Sequence, residues 1–217
     1  MIRVIFDGKP DRALKILCLG SHCDDIEIGC GGTLLSWLRK YERTEVQWVV
    51  FSSDSQRKKE AKRSADSFLM NSGRKIVEIK NYRNGYFPYY GGKIKEYFET
   101  LKVGYSPDLI FTHYRMDLHQ DHRTISELTW NTFRNHLILE YEVPKYDGDL
   151  SSPNLYVPLD ENICMEKIDI ITRTFHTQDD KHWFTEDLFW SSMRLRGMES
   201  RSATNFAEGF YCRKICM

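Results

Sequence analysis

The sequence contains no apolar run approaching the roughly 20 residues that a membrane-spanning helix needs, so no membrane span is expected. Its opening stretch, MIRVIFDGKPDR, has neither the apolar core nor the small-residue cleavage site of a secretory leader. Neither sign of charge is in excess: Lys+Arg and Asp+Glu each number 31, so no net field gathers nucleic acid or an acidic lipid surface. The cysteines (Cys18, Cys23, Cys30, Cys164, Cys212 and Cys216) include no C-x-x-C pair and no zinc-finger spacing. Without a secretion signal they read as reduced thiols, and a cytoplasmic location is the expectation. No internal repeat, low-complexity tract or second-domain boundary is visible, and 1–217 reads as a single domain. The dinucleotide fingerprint is missing as well. GCGG (29–32) lacks the G-x-G-x-x-G spacing, and no acidic residue ends the second apolar strand, which disfavours a nucleotide-binding oxidoreductase.

What is present alternates. ALKILCLG (13–20), EVQWVVFSS (45–53), RKIVEIKN (74–81) and PDLIFTHY (107–114) read as strands. TLLSWLRKYE (33–42), the stretch 55–73, KIKEYFETLKVGYSP (93–107) and ISELTWNTFRNHL (125–137) read as helices. Later, NLYVPLD reads as a strand, and 161–175 and 185–196 as helices. Strand and helix repeated four times predict an α/β fold with a mostly parallel sheet covered on both faces. In such folds ligands bind beyond the carboxyl ends of the strands.

Two polar clusters lie at those ends. SHCDD (21–25) follows the first strand and offers His22, Asp24 and Asp25. HYRMDLHQDHR (113–123) follows the fourth and offers His113, Asp117, His119, Asp121 and His122. Catalytic zinc is commonly held by two histidines and one carboxylate, leaving a position for water. His22 and Asp25 are three apart, as are His119 and His122, so each pair faces one side of a helical turn. One such pair plus one more histidine completes a set, and the remaining carboxylate can act on the water. Taken singly, either cluster is more often a surface loop or a helix cap, and Asp24 or Asp25 alone would be a good N-cap. Two clusters, both after strands, favour the metal reading. Cys23 beside His22 is a poor nucleophile, because neighbouring carboxylates raise a thiol pKa. His136, His176 and His182 stand apart and read as structural or exposed.

SHCDDIEIGCGGTL (21–34) resembles the signature HPDD-x-E-x-G-x-GGT of the PIG-L/LmbE family of zinc-dependent N-deacetylases, and DLHQDHR (117–123) is similar to that family's D-x-H-P-D-H-R. RKKEA (57–61), FHTQ (175–178) and FAEGF (206–210) resemble three weaker family stretches. The resemblance implies a Rossmann-like three-layer fold. It implies Zn²⁺ held by His22, Asp25 and His122, with Asp24 as general base. It implies His119 as an electrophilic partner held by Asp121, and Arg57 against the substrate's sugar hydroxyls. Asp117 recurs in the motif, with a supporting, substrate-side role. Cys23 stands where the family has Pro or Ala, which opens a route to oxidation or to thiol-binding metals. Gln120 stands where it has Pro. Neither change removes a ligand.

The implied partner is a small-molecule acetylated amino sugar of the N-acetylglucosamine type. The aromatic stretch YRNGYFPYY (82–90) would either stack on sugar faces or pack as a surface loop. Alternatives are a zinc-dependent amidase or esterase on a non-sugar substrate, and a sugar-binding relative without turnover. The sequence does not choose between a monomer and a homo-oligomer.

Overall fold

A computed structural model describes residues 13–41 and 43–215. The leader reading at residues 1–12 and the thiol of Cys216 lie outside the described residues. The predicted strands form as β1 (Leu14–Gly20), β2 (Thr44–Val50), β3 (Arg74–Ile79) and β4 (Leu109–His113). Three more follow: β5 (Leu137–Tyr141), β6 (Leu155–Leu159) and β7 (Phe206–Cys212). They make one seven-stranded sheet in the order β3-β2-β1-β4-β5-β7-β6. β1 to β5 pair in parallel, while β7 runs antiparallel to both β5 and β6.

β1 shows why the sheet has to be covered on both sides. Ile16 and Cys18 enter one apolar core and Leu17 and Leu19 the other, and all four are fully buried. Successive side chains of a strand point to opposite faces. One core is closed by α1 (Asp25–Lys40), α2 (Ser55–Phe68), α5 (Glu161–Thr174) and α6 (Glu186–Glu199). The other is closed by α3 (Gly91–Gly104) and α4 (Gln120–Thr132). This is the α/β architecture with a mostly parallel sheet expected from the sequence. Among the described residues no helix is long and apolar enough to cross a membrane.

Two helices begin earlier than the periodicity indicates. α1 starts at Asp25 and takes in GCGG, and α4 starts at Gln120. Glycine normally weakens a helix, which is why the run reads as a break. Here α1 lies too close to the sheet for side chains. A Cβ on Gly29 would sit 2.1 Å from the Tyr141 ring. The consequence for the site is direct: both polar clusters open helices, at the neighbouring ends of β1 and β4. The strand order reverses between those two strands, which is where α/β sheets bind ligands.

Candidate metal centre

His22, Asp24 and Asp25 come from the β1–α1 turn, and His119, Asp121 and His122 from the start of α4. Asp24 occupies the N-cap position of α1 but makes no capping bond. Its Oδ1 accepts instead from Arg57 Nη2 at 3.0 Å. Arg57 is placed by a cap of its own: Asp54 accepts from the backbone N–H of Gln56 and Arg57, both at 2.8 Å, fixing the first turn of α2.

The histidine tautomers follow from their partners. His22 Nε2 lies 3.2 Å from Asp121 Oδ2, and His122 Nδ1 lies 2.9 Å from Asp117 Oδ2. Each neutral ring thus commits its N–H to a carboxylate. The remaining lone pairs, on His22 Nδ1 and His122 Nε2, face each other 3.2 Å apart. Two acceptors at that distance need a proton or a cation between them. Asp25 completes the set. Its Oδ2 is 3.4 Å from His22 Nδ1 and its Oδ1 is 3.5 Å from His122 Nε2. Tetrahedral donors at zinc distances are separated by about 3.3 Å, so these donor types and separations suit zinc, with Asp25 offering a different oxygen to each histidine.

Two other triplets of donors also lie within 4.8 Å: His22–His119–His122 and Asp25–His113–His122. Hydrogen bonding argues against both. His113 Nε2 accepts from the Ser21 backbone N–H at 2.9 Å, so its lone pair is occupied. His119 Nδ1 accepts from the Asp121 backbone N–H at 3.2 Å, which puts the proton of a neutral ring on Nε2. His119 is therefore a donor here. Burial, then the nearby His122 and His22, lower its pKa and keep it neutral.

The two adjacent aspartates have opposite character. Burial raises Asp24 above the usual carboxylate range, and Arg57 offsets this only in part. Burial would raise Asp25 as well, but His122, His113 and His22 hold it well below that range. Both also sit at a helix N-terminus, where the dipole favours negative charge.

Asp121 and Asp117 depart from the expected positions. Asp121 does not hold His119 by its carboxylate. That group accepts from His22, from Gly85 N–H at 2.7 Å and from Phe87 N–H at 3.1 Å. The YRNGYFPYY loop folds over the site to supply those amides. Asp117, 2% exposed, does not reach the cleft. It backs His122 and also accepts from Lys145 Nζ at 2.9 Å. In both cases the sequence identified the residue type but not which neighbour it supports. His113, a candidate donor in the sequence, is buried with Nε2 accepting from the Ser21 amide, and Lys145, which supports Asp117, was missed, since neither spacing nor charge pattern signals it. Cys23 is fully buried, with its thiol toward Ser52 O at 3.3 Å. Burial raises its pKa, so it neither faces the metal donors nor carries a ready thiolate.

The site floors an open cleft of about 250 Å³ that also exposes Arg57, Asn84, Gln178 and Trp183. Residues 17–133, more than half of the chain, match the family model PIG-L, described as GlcNAc-PI de-N-acetylase. The chain belongs to the PIG-L family. Among solved structures it is similar to N,N'-diacetylchitobiose deacetylase from Pyrococcus horikoshii, with 22% identity over 92% of this chain and 84% of that one, at a TM-score of 0.71. It is also similar to teicoplanin deacetylase Orf2 in a zinc-inhibited form, with 11% identity over 91% and 97%, at 0.69. A third likeness is to GalB, the 4-carboxy-2-hydroxymuconate hydratase from Pseudomonas putida, with 12% identity over 94% and 98%, at 0.68. At these identities the likeness is one of fold, and the PIG-L fold evidently carries more than one reaction.

Proposed function

We propose that this chain is a zinc-dependent N-deacetylase. It hydrolyses the acetamide of an N-acetylglucosamine-type sugar in a small glycoside, sugar nucleotide, or antibiotic or glycoconjugate precursor. The observation that carries the reading is the convergence of His22 Nδ1, His122 Nε2 and Asp25 on one point, beside a carboxylate of raised pKa. The family's description as a GlcNAc-PI de-N-acetylase and the likeness to a diacetylchitobiose deacetylase support the acetamido sugar. We also place the protein in the cytoplasm as one domain spanning 1–217, with monomer or homo-oligomer left to experiment.

His22, Asp25 and His122 would hold the metal. Bound there, zinc would supply Lewis-acid polarisation of the acetamide carbonyl and of the attacking water. A water oxygen adds to the carbonyl carbon, the C–N bond breaks, and acetate and the free amine leave. Asp24 takes the water's proton and returns it to the departing nitrogen. A carboxylate whose pKa is raised by burial suits both halves of that transfer. Arg57 holds Asp24 in place through its 3.0 Å bond. His119 presents Nε2–H to the carbonyl oxygen as negative charge develops on it.

The test is acetate release by zinc-loaded protein from N-acetylglucosamine, its methyl glycoside, a UDP-linked form and diacetylchitobiose. Asp24→Asn should retain zinc and lose about 10²-fold or more in rate, whereas His22→Ala should lose the metal. Near-normal turnover in Asp24→Asn would remove Asp24 as the base. Full zinc occupancy in His22→Ala would sink the ligand assignment. A second reading, the same donors acting on a non-sugar substrate, draws on the hydratase among the neighbours. It is favoured if no panel member releases acetate at one bound zinc.

A further inference from the structure

Two stretches noticed in the sequence, RKKEA and FHTQ, have little part in the chemistry above, yet they meet. Glu60, one turn beyond Arg57 in α2, is 2% exposed. Its carboxylate accepts from the Thr177 backbone N–H at 3.1 Å and from the Thr177 hydroxyl. That contact joins segments 117 residues apart. It sets Gln178, the next residue, into the same cleft wall as Arg57 and Asp24.

Gln178 is 8% exposed and tightly fixed. Its backbone N–H donates to Phe175 O at 2.8 Å, and its side-chain Nε2 donates to Thr177 Oγ1 at 3.2 Å. The amide nitrogen is thereby committed to the protein. Among the described residues none donates to its Oε1. A carbonyl oxygen held in one orientation at the wall of a cleft, with no protein donor and open to the cleft, is placed to accept from a bound ligand. Asp24 and His119 already face the reacting acetamide. Ile28, Val143, Pro144 and Trp183 give the cleft apolar surface as well. A ring with apolar faces and a hydroxyl-bearing edge matches that division.

We infer that Gln178 is a specificity-determining residue whose Oε1 accepts a hydrogen bond from a neutral hydroxyl of the substrate. Thr177 and Glu60 act as its positioning residues. This rests on the amino-sugar reading of the cleft. It implies discrimination by hydrogen bonding: once a ligand covers the fixed acceptor and excludes water from it, an analogue that lacks the donor is penalised.

The experiment uses zinc-loaded full-length protein and methyl N-acetylglucosaminide with its 3-, 4- and 6-deoxy analogues. Acetate release gives kcat and KM, and ligand-observed NMR gives binding without turnover. Gln178→Leu should raise KM about tenfold while kcat moves by less than threefold. One deoxy analogue should be penalised in the wild type and no longer in the variant. Should Gln178→Leu not fold, Thr177→Val frees the carboxamide without deleting it and, with the protein shown to be folded by circular dichroism, should raise KM. Equal KM and equal binding in folded variants would overturn the proposal. So would a wild type that neither binds nor cleaves the glycoside. Acetate release from a non-sugar acetamide, unaffected by Gln178→Leu, would overturn it while deacetylation stands. Glycoside binding weakened by Gln178→Leu, without acetate release from any substrate, would support it while the deacetylase reading fails.

Discussion

His22 and His122 turn their lone pairs toward one another because their N–H groups belong to Asp121 and Asp117. Without a metal, a proton takes the shared position. Burial opposes charge on His22, but Asp25, Asp121 and Asp24 outweigh it and raise its pKa to about 10. The unfolded value is about 6.5. A raised folded pKa contributes stability that is complete below about pH 6.5 and is lost as pH climbs toward about 10. Zinc bound there would have to displace that same proton. Zinc affinity should therefore rise with pH across neutrality, by about tenfold per unit for one proton released. Chelator competition between about pH 6 and 8 checks this. A flat affinity would mean that His22 is already neutral before the metal arrives.

Among the elements, α1 depends on a side-chain pair from elsewhere in the chain. Glu208 of β7 accepts from the Gly32 and Thr33 amides at 2.8 and 2.7 Å. Lys167 of α5 donates to Ile28 O and to Glu208, both at 2.7 Å. The ion pair is thus inserted into the hydrogen-bond ladder of the helix that starts at Asp25. Lys167→Met should leave Glu208 buried and unpaired, at a cost of about 3–5 kcal/mol. That is on the order of 10 °C in melting temperature. Lys167→Met combined with Glu208→Leu should cost less than the two single changes added together, and thermal unfolding of the three variants checks both statements. This pairing also marks where the sequence becomes opaque. FAEGF and GCGG are each visible in it, but nothing local says that Glu208 sits on Gly32, where a Cβ would lie 3.0 Å from its oxygen. β1 to β4 were legible because each carries a short apolar or alternating stretch bounded by turn residues. β5 went unread because LILEY follows so closely on α4 that it runs into the helical pattern. β7 mixes Glu and Gly into its middle, for reasons that lie in α1. The candidate donors were visible in the sequence because they cluster locally, and the fold brings His22, Asp25 and His122 together. The partner of each was not, because Asp121 and Asp117 are assigned to His22 and His122 only by the fold.

For the molecule as a whole, the donors come from the ends of two adjacent parallel strands, β1 and β4. A cation held between them would link the two halves of the sheet. A ligand that binds only the folded chain, present at a thousand times its Kd, adds about 4 kcal/mol, on the order of 10 °C in melting temperature. Chelation should lower the melting temperature by that much, and zinc should restore it. An unchanged melting temperature would indicate that the folded protein does not bind zinc there. The Glu208 contact carries a consequence for biosynthesis. The ribosome makes His22, Asp24 and Asp25 early, but the carboxylate that seats their helix is translated 176 residues after Gly32. A nascent chain therefore carries all three candidate donors, His22, Asp25 and His122, before the carboxylate that seats α1 exists, and the proposed centre is completed only after nearly the whole polypeptide has emerged.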